Sequence, residues 1–316
     1  MMAASPTFCI ITPNPALDHI LLAPSLRIGT IQRVPQTHLA AGGKGLNVAR
    51  VARALGMNVT VCAPLGGFTG QHVASLAVRE GIALTAVPID GETRICTLIV
   101  DPTTDTITVL NEQGPSLTDH HWQAFIDRVL KVQATWNLIC GSLPPGIAPT
   151  VLTDLIDELY RQNRYVLVDT SGPALAAAMA VKPDVVKING DEAGELLGMS
   201  VTSIATAQQA ASELVRRGID TAVITLGAQG AVGIGRRHGP AGVIAMPSPI
   251  TARSPIGCGD SFFAGLAMAL ADDRSLAEAL RIATACGVAD AQTIEPGRID
   301  PQIINTLAQQ IAISYW

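Results

Sequence analysis

The chain has 316 residues, of which 48% are hydrophobic and 15% are charged, a composition typical of a compact folded protein and not of a disordered one. The formal net charge of −5 argues against a general nucleic-acid binder, because such a protein needs a broad basic surface. No apolar run is long enough to span a bilayer, and no basic segment precedes the first apolar run, so we expect a cytoplasmic protein without a membrane partner.

Short β-branched runs alternate with longer helix-like segments along most of the chain. The strand predictions are 8–12, 59–63, 138–140, 165–169, 185–188 and 222–225. The helix predictions are 46–55, 71–80, 118–132, 150–163, 190–197 and 204–217, with another helix over 262–270. This order predicts an α/β fold with a doubly wound, mostly parallel sheet flanked by helices. Ligands of such folds bind at the carboxyl ends of the strands.

Two stretches depart from this alternation. Residues 20–39 contain two prolines and one glycine and lack a helical pattern, and residues 93–110 indicate a hairpin with a turn at 101–105. We therefore expect one domain over 1–316 with a small inserted β-sheet formed by about 20–39 and 93–110. That sheet could act as a lid, as a dimer surface, or as both.

The first candidate binding residues follow the first strand. Asn14 and Asp18 lie in a favoured ligand position, although the residues alone favour a simple Asx turn as the explanation of Asp18. Gly42 and Gly43 would let the backbone approach a ligand closely, with Lys44 as a point charge. The turn lacks the spacing of a Walker A loop, and an exposed turn with a solvated lysine is the simpler interpretation.

Two arginines lie in the lid-like stretches. If the lid closes over the site, Arg33 or Arg94 could clamp an anionic group of a substrate. Solvation at the surface is the alternative for each of them.

Two further loops follow predicted strands near the middle of the chain. Asn189 and Glu192 could hold water around Mg²⁺, but capping of the helix that follows explains the same residues. Thr225, with Gly227 and Gly230, could contact nucleotide phosphates, and a plain β-turn is equally compatible.

The most informative motif is the turn from Gly257 to Ser261, directly before an apolar helix. The first amides of that helix would form a site for phosphate charge, and the Asp260 carboxylate could accept a proton there. A capped helix start is the simple alternative. Cys258 is also considered as a nucleophile, since a helix N-terminus can lower the pKa of a thiol. The six cysteines lack Cys-x-x-Cys spacing, which predicts buried free thiols in a reducing compartment.

Taken in order, these segments resemble the ribokinase-like, or phosphofructokinase B, family of sugar kinases. The resemblance runs from Ile11 to about Gly297. Its markers are Thr12-Pro13-Asn14-Pro15-Ala16-Leu17-Asp18, Gly42-Gly43-Lys44-Gly45, Gly141-Ser142-Leu143-Pro144-Pro145-Gly146, Asn189-x-x-Glu192, Thr225-x-Gly227 and Gly257-x-Gly259-Asp260.

The resemblance implies a ribokinase-like fold with a β-sheet lid, and transfer of the γ-phosphate of ATP to a sugar hydroxyl with the help of Mg²⁺. It implies that Asp260 is the base, that the amides of residues 257–259 form the anion hole, and that Asn189 and Glu192 organise the metal through water. The implied nucleotide contacts are Lys187, Asn189, Thr225, Gly227 and Gly230. The implied sugar contacts are Asn14, Asp18, Gly42, Gly43 and Asn47.

Within the family, Asn14 to Asp18 and Asn47 to Arg50 resemble the branch that acts on phosphorylated hexoses: 1-phosphofructokinase, tagatose-6-phosphate kinase and the minor 6-phosphofructokinase. In that branch Lys44, Arg94 and Ser142, with Arg33, would hold the phosphate already on the sugar. A kinase for a free sugar or nucleoside is the alternative within the same class. A non-catalytic sensor on this fold and, more remotely, a nicotinamide dehydrogenase are the alternatives from other classes.

Overall fold

The computed structural model describes residues 6–238 and 241–316. Its strands, in chain order, are β1 (Thr7–Ile11), β2 (Ala16–Leu22), β3 (Gln36–Gly42), β4 (Asn58–Gly66), β5 (Ala83–Ile89), β6 (Arg94–Asp101), β7 (Thr106–Asn111), β8 (Trp136–Cys140), β9 (Tyr165–Asp169), β10 (Val185–Asn189), β11 (Thr221–Thr225), β12 (Ala231–Gly235), β13 (Val243–Met246) and β14 (Ala312–Tyr315). Its helices are α1 (Lys44–Ala54), α2 (Gly67–Arg79), α3 (Asp119–Lys131), α4 (Val151–Arg161), α5 (Gly172–Ala180), α6 (Gly190–Leu197), α7 (Ile204–Arg216), α8 (Cys258–Ala271), α9 (Leu276–Ala291) and α10 (Pro301–Gln309).

Ten of the strands form one large sheet in the order β14-β13-β12-β11-β10-β9-β8-β1-β4-β5. From β5 to β11 all neighbouring strands run parallel. The strands β12, β13 and β14 extend the other edge in antiparallel fashion. The predicted doubly wound, mostly parallel sheet is confirmed, and the antiparallel edge is an addition that the sequence analysis did not include.

Helices cover both faces of the large sheet because its parallel strands are apolar on both sides. In β1, Ile10 packs into a core cluster with residues of α1, α2, α8, α9 and α10. Its neighbours Cys9 and Ile11 point the opposite way and pack with α3, α4 and α5. Further along the sheet, α6 and α7 continue this second layer. The alternation of side chains along one strand thus divides the core into two layers.

The remaining strands form a separate sheet in the order β3-β2-β6-β7. β2 pairs parallel with β6, and each of the two carries an antiparallel neighbour. Both stretches that lacked a helical pattern contribute to it, although β2 begins at Ala16, earlier than the predicted 20. One face of this sheet packs against Ile256 and Ile294, which lie outside it. The small sheet therefore lies against the chain that leads into α8.

The expected elements occur with boundaries shifted by a few residues. The strand over 165–169 and the helix over 190–197 match β9 and α6 at both ends, and the hairpin over 93–110 corresponds to β6 and β7. The elements β5, β12, β13, β14, α5, α9 and α10 have no counterpart in the sequence predictions. Across residues 6–238 and 241–316, no helix combines the length and apolar character that crossing a bilayer requires.

Candidate active site

The candidate residues converge because parallel strands end at the same edge of the large sheet. Asn14 follows β1, and Ser142 follows the neighbouring strand β8. Asp169 is the last residue of β9, and its backbone pairs with Cys140. Asn189 and Thr225 close β10 and β11 and are direct partners in register. Residues separated by up to about two thirds of the chain are thus brought to one edge.

The first turn of α8 lies beside this edge. Gly257 caps the helix in the left-handed conformation (φ 89°), which glycine adopts readily. A Cβ atom at this position would lie 2.7 Å from Oδ2 of Asp290, so no larger residue fits. The Gly257 carbonyl accepts the N–H groups of Asp260 and Ser261, each at 2.9 Å. The N–H groups of Cys258 and Gly259, which begin the helix, have no acceptor within it.

Asp260 lies in this first helical turn with only 7% of its surface exposed. Its Oδ2 accepts a hydrogen bond of 2.9 Å from Nδ2 of Asn47 on α1. Burial raises the pKa of Asp260 to about 6, while the ammonium of Lys44 lowers it and the carboxylate of Asp169 raises it further. A carboxylate with this pKa is ionised at neutral pH and is still basic enough to accept a proton.

Two lysines share the carboxylate of Asp169, which is almost completely buried. Lys44 Nζ lies 2.6 Å from Oδ1, and Lys187 Nζ lies 2.7 Å from Oδ2. Burial alone would raise the pKa of Asp169, but the ammonium groups of Lys187 and Lys44 lower it below the ordinary value. A Cβ atom on Gly259 would lie 3.0 Å from Nζ of Lys187. Both cations therefore belong to the neighbourhood of the α8 turn.

Asp169 is the main site residue that the sequence analysis misses. Its position at the end of a predicted strand, where ligands of such folds bind, is the signal that could have identified it. The family resemblance implied ligand contacts for Lys44 and Lys187. It gave no role to the Asp169 carboxylate that binds both of them.

A second group of predicted residues meets where β1 and β8 end. Nδ2 of Asn14 donates to Oγ of Ser142 at 3.3 Å and to the carbonyl of Gln113 at 3.1 Å. The guanidinium of Arg94 donates to the carbonyl of Asn14 at 2.9 Å and to that of Glu112 at 3.2 Å. In the part of the chain that the structure describes, no carboxylate lies within ion-pair distance of Arg94. Its positive charge is therefore held in place by neutral carbonyl groups.

Asp18 lies on the face of the small sheet that is turned toward the large one. Its carboxylate is so close to Gly42 that any side chain at residue 42 would collide with it. Burial raises the pKa of Asp18 to about 7, the cation of Arg50 lowers it, and the charge of Asp260 raises it further. The backbone N–H of Gly43 also lowers the pKa of Asp18. These contacts bring the predicted residues Asp18, Gly42 and Gly43 together.

Arg33 is exposed in the connection between β2 and β3. Among the described residues, no hydrogen bond or ion pair joins it to the groups above. Its substrate-binding role remains a prediction that depends on movement of the lid.

Asn189 caps helix α6, which is the simpler of the two roles considered for it. Its side chain accepts from the N–H of Glu192 at 2.8 Å, and Oε2 of Glu192 accepts from the N–H of Asn189 at 2.9 Å. The other oxygen of Glu192, Oε1, lies 3.7 Å from Nζ of Lys44. Within residues 6–238 and 241–316, no group of three or more His, Cys, Asp or Glu is arranged to hold a metal ion. The Glu192 carboxylate could still contribute to a Mg²⁺ site, because that ion keeps most of its waters and binds phosphates.

The turn after β11 contains the remaining predicted nucleotide contacts. Thr225 donates from Oγ1 to the Ile188 carbonyl at 3.5 Å and lies beside Asn189. Gly227 and Gly230 both have positive φ angles, of 56° and 99°. At Gly230 a side chain would collide with the Ala245 carbonyl. The turn thus depends on glycine at both ends, as a tight strand-to-strand connection does.

Cys258 does not have the properties of a nucleophile. Burial, with the carboxylates of Asp290 and Asp260, raises the pKa of its thiol to about 12. Its Sγ donates to the Ser254 carbonyl at 3.5 Å. The neutral thiol that results is unreactive. The six cysteines are free thiols, and five of them are buried as predicted, whereas Cys258 is only partly buried.

Comparison with known proteins agrees with this geometry. Residues 14–302 match the model of the pfkB family of carbohydrate kinases. The chain is 33% identical over 304 residues to the 1-phosphofructokinase of Rhodobacter capsulatus and covers 95% of both chains. It is 32% identical over 306 residues to the 1-phosphofructokinase of Escherichia coli K12, covering 95% of this chain and 96% of that protein.

Solved structures show the same similarity. Phosphofructokinase-2 of Escherichia coli in complex with potassium superposes with a TM-score of 0.89 at 28% identity, over 96% of this chain and 98% of that one. The tetrameric inhibited form of the same enzyme superposes with a TM-score of 0.88 at 30% identity, over 96% of this chain and 99% of that one. The family match covers most of the chain. The chain therefore belongs to the PfkB family of carbohydrate kinases.

Proposed function

We propose that this protein transfers the γ-phosphate of ATP to a hydroxyl of a phosphorylated hexose and gives a sugar bisphosphate. The observation that carries the proposal is the placement of Asp260, a buried carboxylate with a pKa of about 6 in the first turn of α8. The relatives named as 1-phosphofructokinases support the same reaction.

In the proposed reaction Asp260 accepts the proton of the attacking hydroxyl while the sugar oxygen forms a bond to the γ-phosphorus. The bond between that phosphorus and the bridging oxygen breaks, and ADP leaves. The N–H groups of residues 257–259 and the positive end of the α8 dipole would stabilise the charge on the transferred group. Lys44 and Lys187, which are both held by the Asp169 carboxylate, would add positive charge next to the transferred phosphate.

The phosphate already on the sugar would bind near Arg94, Ser142 and Lys44. A phosphate dianion needs fixed cations, and the guanidinium of Arg94 is held by carbonyl groups without a neutralising carboxylate among the described residues. Ser142 and Asn14 are hydrogen-bonded to each other beside it. The sugar hydroxyls would be bound by Asp18 and Asn47, with Gly42 and Gly43 allowing close approach. Arg33 would join this group if the small sheet moves toward the large one.

The nucleotide would bind along the ends of β10 and β11, near Lys187, Asn189, Thr225, Gly227 and Gly230. The residues present fit Mg²⁺ held mainly by phosphates and water, with the Glu192 carboxylate close to the nucleotide contacts. When bound, the ion would neutralise charge on the ATP phosphates. Glu192 also positions Lys44 through the contact of 3.7 Å.

One coupled assay tests the proposal and separates it from its alternatives. ADP release is measured with ATP and Mg²⁺ and one acceptor at a time: fructose 1-phosphate, fructose 6-phosphate, tagatose 6-phosphate, a free hexose and a nucleoside. We expect turnover with at least one hexose phosphate and a loss of at least about 100-fold in kcat for Asp260→Asn. Turnover only with a free sugar or nucleoside would favour the alternative kinase. Near-normal kcat in Asp260→Asn would remove Asp260 as the base.

We also propose that the small sheet serves as a lid and joins two copies of the chain. The support is its outer face, where Leu39 and Leu110 are 42% and 57% exposed, and the adjoining loop, where Ile28 and Ile31 are almost fully exposed. Apolar groups of this size gain free energy when another protein covers them. Sedimentation of the parent and of Leu110→Glu tests the dimer. A monomeric parent at micromolar concentration would exclude it.

A further inference from the structure

Arg50 is a buried arginine next to the candidate base, and neither the sequence analysis nor the proposed reaction gives it a role. Only 7% of its surface is exposed. It lies on α1 one turn after Asn47, so both side chains point to the same side of the helix. Nη1 of Arg50 donates to Oδ1 of Asn47 at 3.0 Å, and Asn47 in turn donates to Asp260. The three side chains form one continuous chain of hydrogen bonds.

The donor and acceptor roles in this series of hydrogen bonds are determined by the groups at its two ends. A guanidinium can only donate hydrogen bonds, and an ionised carboxylate can only accept them. The oxygen of the Asn47 amide must therefore face Arg50, and its NH₂ group must face Asp260. Among the described residues, the side-chain hydrogen bond to Asp260 is made to Oδ2. Oδ1 is then the oxygen available for a substrate hydroxyl.

Arg50 is itself held by three separate segments. Its Nε lies 2.8 Å from Oε2 of Glu80, which follows α2. Nη2 donates to the carbonyl of Ala41 at 2.6 Å, directly before the turn at Gly42. Nη1 also donates to the carbonyl of Pro296 at 2.9 Å, in the loop after α9. All three nitrogens are thus occupied, which fixes the guanidinium plane more firmly than a lysine could be fixed.

We propose that Arg50 is a positioning residue that fixes the orientation of the Asn47 amide and thereby aims the Asp260 carboxylate at the acceptor hydroxyl. The inference rests on the proposed function, because it assumes that Asp260 is the base. It adds to that function a buried residue that touches neither substrate in the proposed arrangement.

The consequence is measurable as a pH dependence. The hydrogen bond from Asn47 lowers the pKa of Asp260, in opposition to the burial that raises it. If Arg50 is removed, the amide is free to turn or move away, and the pKa of Asp260 rises. The acidic limb of kcat then moves to higher pH, because the base must be ionised to act.

Other charged groups also face Asp260 and remain in every variant considered. They are Lys44 on α1, Asp169 on β9, Lys187 on β10, Asp18 on β2 and Asp290 on α9. The cation of Arg50 also lowers the pKa of Asp18 and of Asp290. A direct effect of the lost charge must therefore be separated from an effect that acts through Asn47.

A double-mutant cycle between Arg50→Met and Asn47→Ala makes this separation. kcat and KM for both substrates are measured from pH 5 to 9 on the full chain, with the acceptor that the parent enzyme uses. In the parent background we expect Arg50→Met to lower kcat at least about tenfold and to move the acidic limb upward by about half a pH unit or more. In the Asn47→Ala background the same change should add little to either effect.

Arg53→Met is the matched control. Arg53 lies on the same helix, and its guanidinium donates to the carbonyls of Glu80 and Gly81 at the surface. The Arg53→Met variant should have the same pH profile of kcat as the parent enzyme. Equal effects of Arg50→Met in both backgrounds, or an unchanged pH profile in a folded Arg50→Met enzyme, would overturn the proposal.

Arg50→Met leaves Glu80 without its buried partner and can therefore weaken folding. If thermal unfolding shows that the single variant is not folded at the assay temperature, the pair Arg50→Met/Glu80→Met replaces it in the cycle. Absence of kinase activity in the parent enzyme would refute the proposed function instead, so the two failures are distinguishable.

Discussion

Lys44 and Asp169 form an ion pair with Nζ 2.6 Å from Oδ1, although they are 125 residues apart in the chain. The other oxygen of the same carboxylate binds Lys187 at 2.7 Å. One buried anion thus holds two cations next to the turn that begins α8. The arrangement keeps positive charge where we propose that phosphate charge develops, and it prevents the two ammonium groups from repelling each other.

Asp169→Asn tests this arrangement. An amide offers one acceptor oxygen for two ammonium groups, so the buried Lys187 must compete for it with Lys44, which is partly exposed and also contacts Glu192. We expect kcat to fall at least about tenfold and the free energy of unfolding to fall by about 3–5 kcal/mol, the usual cost of breaking a buried ion pair from one side. Urea unfolding and steady-state kinetics measure the two effects. Asp154→Asn, an exposed change on α4, is the control. An Asp169→Asn enzyme with parental kinetics would contradict the role of the shared carboxylate.

The raised pKa of Asp260 predicts that its ionised carboxylate lowers the free energy of unfolding. Its ordinary value of 3.8 rises to about 6 in the folded protein, chiefly because of burial. The folded state therefore loses stability relative to the unfolded chain as the pH rises through this interval. Asp260→Asn removes the ionisation, so we expect it to stabilise the protein at pH 8, by up to about 3 kcal/mol.

This gain should largely disappear by about pH 4, because the folded carboxyl group is then protonated and the unfolded one, with its ordinary pKa of 3.8, is only partly ionised. Urea titrations at pH 4 and pH 8 measure the difference, and Asp127→Asn on the exposed side of α3 serves as the control. A variant whose stability relative to the parent is the same at both pH values would contradict the raised pKa. Lost turnover combined with gained stability would identify Asp260 as a group kept for function.

The fold was predictable because strands and helices each have their own period of apolar residues, and short apolar strands alternate with amphipathic helices along this chain. The strand Tyr165–Asp169 and the helix Gly190–Leu197 are local patterns with clear ends. The antiparallel edge was not predictable in the same way. Strands such as Val243–Met246 are very short, and their pairing depends on partners far along the chain.

The candidate site likewise contains residues that belong to a local sequence motif and residues that depend on distant contacts. Asp260 and the glycines before it belong to one short motif, which the sequence displays directly. Asp169 ends a predicted strand, which marks its position but not its two lysine partners, and Arg50 becomes recognisable only through its contacts. The guanidinium of Arg50 contacts residues 30 and 246 positions away. Contacts at such separation depend on tertiary folding and leave no periodic signal in a single sequence.

Arg94 gives a prediction that is specific for one substrate. Its guanidinium spans the carbonyls of Asn14 and Glu112 and keeps its charge near Ser142. We expect Arg94→Ala to raise KM for the sugar phosphate at least about tenfold, because a charge-assisted contact to the phosphate is lost, with little change in KM for ATP. Arg94→Lys should not restore the parental value, since a lysine cannot form the same fork of hydrogen bonds.

Steady-state kinetics with each substrate varied in turn measure this effect, and Arg79→Ala, an exposed arginine on α2, is the control. Equal rises in KM for both substrates would indicate a general disturbance of the site. An unchanged KM for the sugar phosphate would exclude Arg94 from phosphate binding.

Cys258 allows its backbone to be tested separately from its side chain. The thiol is partly buried and donates to the Ser254 carbonyl, and its pKa is raised to about 12, so we expect Cys258→Ala to keep nearly parental kcat and to resist thiol reagents. Cys258 is also the first residue of α8, a position at which proline is well tolerated. Cys258→Pro removes the N–H group proposed for the anion hole, and it should lower kcat by about 100-fold to 1,000-fold.

Circular dichroism and thermal unfolding of both variants show whether the helix start has survived, because Gly257 must keep its left-handed conformation before a proline. Partial loss of stability in Cys258→Pro would be corrected for by assaying well below its unfolding temperature. If a folded Cys258→Pro enzyme turns over as fast as Cys258→Ala, the amide at residue 258 does not stabilise the transferred phosphate. If Cys258→Ala itself loses most of its turnover, the thiol has a function that its high pKa does not suggest.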